Sequence, residues 1–373
     1  MDGAEPVTMR PAQAWVAAIA AMTSATGWAE ERAAPTTPVA PVAIAGATLY
    51  PRAFEVRQNA RWKGRLMLAT LAGILQSGDE GRSWAPVSPI PQPAGTTERC
   101  CGVLYEVPRR VGDLAAGSFL YAATYHLGRQ TTIRVYRSDD GTHWRPHSEL
   151  ATGGPIGTGV WEPHLDVARD GALVVFWSDE TDPCCSQRLR RARSYDGVTW
   201  RDTGDLVRGH RQADRPGMAT TARMADGRTA MTYEICGPGR CAVYIRYSRD
   251  GWDYGDPRDP GVRVQTAAGQ YLAHAPTVAA SGDRLLVVGQ MVFEADDSVS
   301  PLNGRVVLEQ RGGRGPWRTI AAPVQVPAAY DNYCPNYASM LVPRDGGRTL
   351  MEIASAYDAE HRCRAYLGKR GMR

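Results

Sequence analysis

Apolar residues along this chain come in short runs, closed by polar turns. ALVVFWSDE, RTAMTYE, RLLVVGQMVF and RTLMEIASAY read as buried β-strands. The turns before them, ARDG, MADG, ASGD and PRDGG, are rich in Asp and Gly, the residues that bond back to local backbone or take positive φ. Each apolar strand follows a strand opened by an x-Pro step, and a third strand such as TTIRVYR or CAVYIRY comes after it.

The third strands run into one repeated turn. SGDEGRSW carries Ser77, Asp79, Gly81 and Trp84; RSDDGTHW carries Ser138, Asp140, Gly141 and Trp144. SYDGVTW runs from Ser194 to Trp200, and SRDGWDYG carries Ser248, Asp250 and Gly251. EQRGGRGPW, Glu309 to Trp317, is a degenerate fifth copy. The four full copies stand 54–61 residues apart, the spacing of a repeated supersecondary unit. The x-Pro steps repeat out of phase with them, at Tyr50, Glu162, Arg215, Ala275 and Cys334, with Cys101-Gly102 in the sixth place. Six units of about four strands predict an all-β, six-bladed β-propeller. Two stacked sandwiches would not explain six phased repeats. The last unit lacks a strand, which VAIAGATLY near residue 45 can supply to close the ring. The Asp-containing turns then join the outer two strands of each blade, on the face opposite the functional mouth. The six x-Pro positions ring that mouth, joined by the second-strand ends Asp179, Glu180 and Glu234.

Composition changes this picture little. The 373 residues are 43% hydrophobic and 22% charged, and a net charge of +4 without a basic run argues against nucleic acid. Lysine occurs only at Lys63 and Lys369, so the positive charge is almost all arginine. Residues 1–29 read as a signal peptide, with AWVAAIAAM as its apolar segment and Gly27 and Ala29 as small residues before the cut. A disordered Ala-rich tail is the alternative. Residues 30–45 read as a Pro-rich linker and residues 46–373 as the propeller. The apolar run is too short to span a bilayer, so a secreted, monomeric protein with no membrane partner is expected. Eight cysteines fit export. Cys236 and Cys241 flank the turn GPGR and are expected to bridge a hairpin; Cys100/Cys101 and Cys184/Cys185 lie in neighbouring blades and can cross-link, but pairings other than Cys236–Cys241 cannot be read from the sequence. No pattern for a nucleotide, haem or metal is present, and no cofactor is expected.

Glu162 in VWEPHLDV and Glu234 in AMTYEICG are acids within apolar or aromatic strands, where a carboxylate needs a reason. On adjacent blades they can converge, and paired carboxylates cleave glycosidic bonds. The competing reading makes each a structural strut, with Arg215 as partner.

The repeated turns resemble the Asp-boxes of the sialidase superfamily. YPRAFEV, VWEPHLDVARDGALVVFWSDE and ADRPGMATTARMADGRTAMTYE resemble glycoside hydrolase family 93 over residues 48–366. That resemblance implies a six-bladed, retaining exo-arabinanase releasing arabinobiose from α-1,5-linked arabinan, with Glu162 and Glu234 as its catalytic pair. Arg52, Trp161, Asp179, Arg215 and Tyr333 become candidates for holding the sugar. Arg215 beside Glu162 would lower its pKa and make it the nucleophile, leaving Glu234 as acid/base. The paired cysteines depart from the family and put the exact substrate in question. The alternatives are an exo-α-sialidase, with Tyr330 or Tyr333 as nucleophile but no arginine where the fifth blade opens with HAPTV, and a non-catalytic carbohydrate-binding propeller.

Overall fold

The computed structural model describes residues 41–47, 50–327 and 329–372. The signal reading at 1–29 and all but the end of the linker lie outside the described residues. The rest forms six antiparallel sheets, each a blade. Blade 1 is Arg52–Glu55, Leu66–Ala69, Ile74–Ser77 and Ala85–Ser88. Blade 2 is Thr96–Glu106, Phe119–Leu127, Gln130–Ser138 and Arg145–Gly153, and blade 3 is Val160–Val167, Leu173–Asp179, Arg188–Ser194 and Arg201–Arg208. Blade 4 has Arg215–Arg223, Thr229–Cys236 and Ala242–Ser248. Its outer position is shared by the short strands Val262–Arg263 and Tyr271–Ala273. Met291–Phe293 pairs onto Tyr271–Ala273 in turn. Blade 5 is Thr277–Ser281, Arg284–Val288, Val306–Arg311 and Arg314–Ala321.

Blade 6 has Met340–Arg344, Thr349–Tyr357 and Cys363–Gly371, and takes its outermost strand, Val42–Ala47, from the other end of the domain. Val42 pairs with Leu367 and Ile44 with Ala365. Ile44 is buried, so closure rests on apolar contact as well as on the ladder. The strand starts at Val42, inside the stretch read as linker, so the propeller takes in the end of that stretch.

The core lies between blades. Val103, Leu120 and Val135 of blade 2 pack against Val160, Leu165 and Val175 of blade 3. Leu173–Asp179 is buried at every position because both of its faces meet a neighbouring blade, whereas the outer strand Arg314–Ala321 buries only Trp317. A fully buried Val or Leu contributes about 1.5–3 kcal/mol, so the second strands anchor the ring.

The Asp-boxes join third to fourth strands at the far face. In SYDGVTW, Asp196 accepts the Val198 and Thr199 N–H groups at 2.8 and 2.6 Å, and the Ser194 hydroxyl at 2.7 Å. In the second box, Gly141 has φ +78°, and an added Cβ would lie 2.9 Å from the Trp62 indole nitrogen. The degenerate fifth copy occupies the same place as a two-residue Gly312-Gly313 turn, with both φ positive.

Candidate active site

At the mouth, each first strand begins with a kink. Tyr50, Cys101, Glu162, Met218, Ala275 and Ala338 all take left-handed φ, between +47° and +60°. Pairing slips between Cys100 and Val103, Trp161 and His164, and Gly217 and Thr220, as a bulge requires. Such backbone costs a non-glycine residue about 1–3 kcal/mol, and it turns the side chain toward the axis. The ring therefore differs from the expected one in two blades: Met218 and Ala338 hold the positions assigned to Arg215 and Cys334. Proline marks where a strand becomes extended, not where it kinks, and in those blades the kink comes later.

Glu162 stands in the ring at blade 3, and Glu234 near the mouth end of the second strand of blade 4. Glu162 Oε2 accepts the Ser178 hydroxyl at 2.6 Å and the Met218 N–H at 3.2 Å. Glu234 Oε2 accepts the Ala275 N–H at 2.6 Å. Each carboxylate is thus held by the ring residue of the next blade. Gly217 lies between them. It pairs directly with Glu234, and a Cβ on it would meet Ser178 Oγ at 2.8 Å and Glu162 Oε2 at 3.3 Å. The Gln187 amide nitrogen would be nearer still, at 2.5 Å, so glycine here leaves room for Gln187, Ser178 and Glu162.

Burial, then the charge of Glu234, pushes Glu162 up to about 7. Burial also raises Glu234, against the pull of His274 and the Ala275 N–H. The charge on Glu234 thus disfavours a charge on Glu162, as a like charge nearby does. Among the described residues, neither forms an ion pair with arginine or lysine; Glu234 faces only His274, at 3.9 Å.

The strut exists, but it is Glu180. Its Oε1 takes the Arg215 guanidinium at 2.5 Å, and its Oε2 takes Gly157 N–H at 2.9 Å and Trp161 Nε1–H at 2.8 Å. Arg215 also donates to Ser186 and Gln187. It is not bonded to Glu162, so the ground for making Glu162 the nucleophile is gone.

A cavity of about 610 Å³ runs along the axis past Arg52, His164, Asp166 and Thr221. Neither Glu162 nor Glu234 lines it, so the acids belong to the mouth and not to the channel.

Solved structures share this shape. The α-L-arabinanase of Penicillium chrysogenum in complex with arabinobiose matches with a TM-score of 0.73 and 23% identity, over 90% of this chain and 99% of that one. The GH93 α-L-arabinofuranosidase of Fusarium graminearum with arabinobiose matches with 0.71 and 21%, over 88% and 97%. The same enzyme with an iminosugar inhibitor gives 0.70 and 21%. The chain shares their fold. No protein-family model and no curated protein matches it.

The sugar-binding candidates divide. Trp161 is half-buried beside Glu162, its ring 5.4 Å from that of His126. Tyr333 is 64% exposed at the rim, edge-on to Tyr337, which leaves a face open for stacking. Arg52 is buried, bonded to the Pro51 and Ala338 carbonyls and stacked on Tyr50, so it ties blade 1 to blade 6. Asp179 accepts Trp177 Nε1–H and both donors of Thr181, which makes it a turn cap rather than a sugar ligand. With Arg52 and Arg215 both engaged by protein groups, the arginine cluster a sialidase needs is not formed by these two.

Cys236–Cys241 bridges the hairpin as expected. The blades are not cross-linked: Cys100 bonds Cys101, and Cys184 bonds Cys185, each within its own blade, while Cys334 pairs with Cys363. Glu234, Cys236, Cys241 and His274 bring donor atoms within 4.8 Å of one another, but both sulfurs are in the disulfide and neither is a thiolate for a metal. Ser178, His274 and Tyr337 were missed. His274 stood in view in HAPTV, and its distance in sequence from Glu234 hid the contact. Among the described residues no helix is long and apolar enough to cross a membrane.

Proposed function

We propose that the protein is a secreted retaining glycoside hydrolase that removes units from a chain end of α-1,5-linked arabinan, with Glu162 and Glu234 as its catalytic carboxylates. The observation that carries this reading is the pair itself. Two acids on adjacent blades, Glu234 buried and Glu162 half-buried, both hold their protons more tightly than an ordinary glutamate and have no arginine or lysine partner among the described residues, while a third acid, Glu180, takes Arg215. The protonated member gives its proton to the glycosidic oxygen as the other attacks the anomeric carbon. The bond to the leaving sugar breaks and a glycosyl ester forms. Water then hydrolyses the ester, with the first residue acting as base. Trp161 and Tyr333 offer apolar faces to the sugar. The matching propellers carry arabinobiose, which favours an arabinan-derived substrate, and four disulfides favour an oxidising compartment.

The test is hydrolysis of linear α-1,5-arabinan, an aryl arabinofuranoside and a fluorogenic sialoside. Arabinobiose is expected from the wild type, with at least a thousandfold loss, about 4 kcal/mol of barrier, in Glu162→Ala and in Glu234→Ala. Azide rescue then separates the roles: the nucleophile variant yields a glycosyl azide of inverted configuration, the acid/base variant one of retained configuration. Full activity in either variant, or turnover of the sialoside alone, would overturn the reading. Glycan binding with no turnover would leave a binding propeller.

A further inference from the structure

His274 stands beside Glu234, and its surroundings fix which of its nitrogens carries a proton. Gln290 is fully buried, and its amide nitrogen donates to the carbonyls of Tyr330, Asn332 and Pro335 at 2.5–3.0 Å. That leaves its amide oxygen to face His274 Nδ1, at 2.8 Å. An amide oxygen only accepts, so Nδ1 holds a hydrogen. Asp331 Oδ1 lies 3.3 Å from the same nitrogen. Nε2 is thereby turned to Glu234, 3.9 Å away. The backbone is clamped as well: His274 N–H donates to Cys241 C=O, and His274 C=O accepts Gln290 N–H, both at 2.8 Å. The ring packs edge-on against Tyr337, at 5.4 Å.

We infer that His274 is a positioning residue, held by Gln290 and Asp331 as an imidazolium beside Glu234, and that its charge sets the proton affinity of that carboxylate. The inference rests on the catalytic reading of Glu234 only for its consequence in turnover. The groups facing His274 are Glu234, Asp331 and Tyr337, with Glu162 behind them, and Arg215 acts on Glu234 from blade 4. Burial opposes the charge on His274, but the two carboxylates and Gln290 outweigh it and hold its pKa up to about 9.

The first measurement needs no turnover. The seven histidines are labelled with ¹⁵N, and His274 is assigned by its loss in His274→Asn. Asparagine tolerates the left-handed φ of +63° at this position and can donate to Gln290. At pH 7.5 the wild type is expected to show His274 with both nitrogens protonated, and Glu234→Gln to show it mostly neutral. A neutral His274 in the wild type, or one unmoved by Glu234→Gln, overturns the inference whether or not the protein is an enzyme.

The second measurement reads the consequence. In His274→Asn, the limb of the pH–rate profile that belongs to Glu234 moves up by about one unit, with KM little changed. Asp331→Asn moves it the same way by less. A lower rate with an unmoved profile would mean a structural role. An inactive wild type with a charged His274 would count against the arabinanase reading alone.

Discussion

Glu162→Gln separates a catalytic acid from a strut by the sign of its effect on stability. Glu162 gives up its proton at about 7, against 4.5 for an ordinary glutamate, because burial and the charge of Glu234 disfavour the carboxylate. The unfolded chain releases this proton near pH 4.5, and the folded chain holds it until about 7. Between those values the folded state binds more protons, so stability falls as pH rises and the full penalty stands above pH 7. At about 1.36 kcal/mol per unit the shift is worth about 3 kcal/mol. Glu162 is only half-buried, and solvent screening at the mouth reduces this to about 1–2 kcal/mol. Glutamine accepts the same two hydrogen bonds from Ser178 and Met218 and carries no charge.

The variant should therefore match the wild type at pH 4.5 and exceed it by about 1–2 kcal/mol at pH 8. In a domain this large that is a rise in Tm of about 2–4 °C or less. Thermal and urea unfolding of both proteins at the two pH values give the comparison, and arabinan hydrolysis on the same samples shows the loss of turnover. If the variant were less stable at pH 8, or if the difference were the same at both pH values, Glu162 would be a structural group and the reasoning would fail.

Two further substitutions should behave oppositely. Glu180→Ala strands the Arg215 guanidinium and the Trp161 and Gly157 N–H groups, and should cost about 3–5 kcal/mol, read as a fall in the urea midpoint. Asp250→Ala removes the acceptor for the Trp252 and Asp253 N–H groups, and should cost about 1–2 kcal/mol while leaving the rate per folded molecule unchanged, because the box lies on the far face.

The fold was legible because its signals are local. An Asp that caps its own turn, a Gly at positive φ and an apolar run all act within a few residues, and six phased copies gave the blade count. Glu162 and Glu234 stood out as candidates for a related reason: an acid inside an apolar strand is conspicuous in any context. What escaped depends on contacts made across blades. Arg215 looked like the partner of Glu162 because both precede proline, yet its guanidinium reaches Glu180. Met218 and Ala338 bear no mark of the left-handed backbone they adopt. His274 was passed over as a missing arginine, since Glu234, Gln290 and Asp331 meet it from distant parts of the chain. The vicinal disulfides escaped because spacing alone does not rank the pairings that eight cysteines allow.

The left-handed backbone at Glu162 could be taken for strain stored in the service of catalysis. The other five blades argue against that. Tyr50, Cys101, Met218, Ala275 and Ala338 carry the same kink and have no carboxylate. The kink belongs to the architecture, which supplies six equivalent positions at one mouth. In the proposed function, chemistry arises where side chains fill that pattern: an acid on the ring of blade 3 and an acid at the second-strand end of blade 4. The N–H groups of Met218 and Ala275 then hold the two acids in adjacent steps of one repeat. Moving Glu162 to another ring position would keep its backbone and lose its partners, so in the proposed function the pair, and not the strain, defines the site.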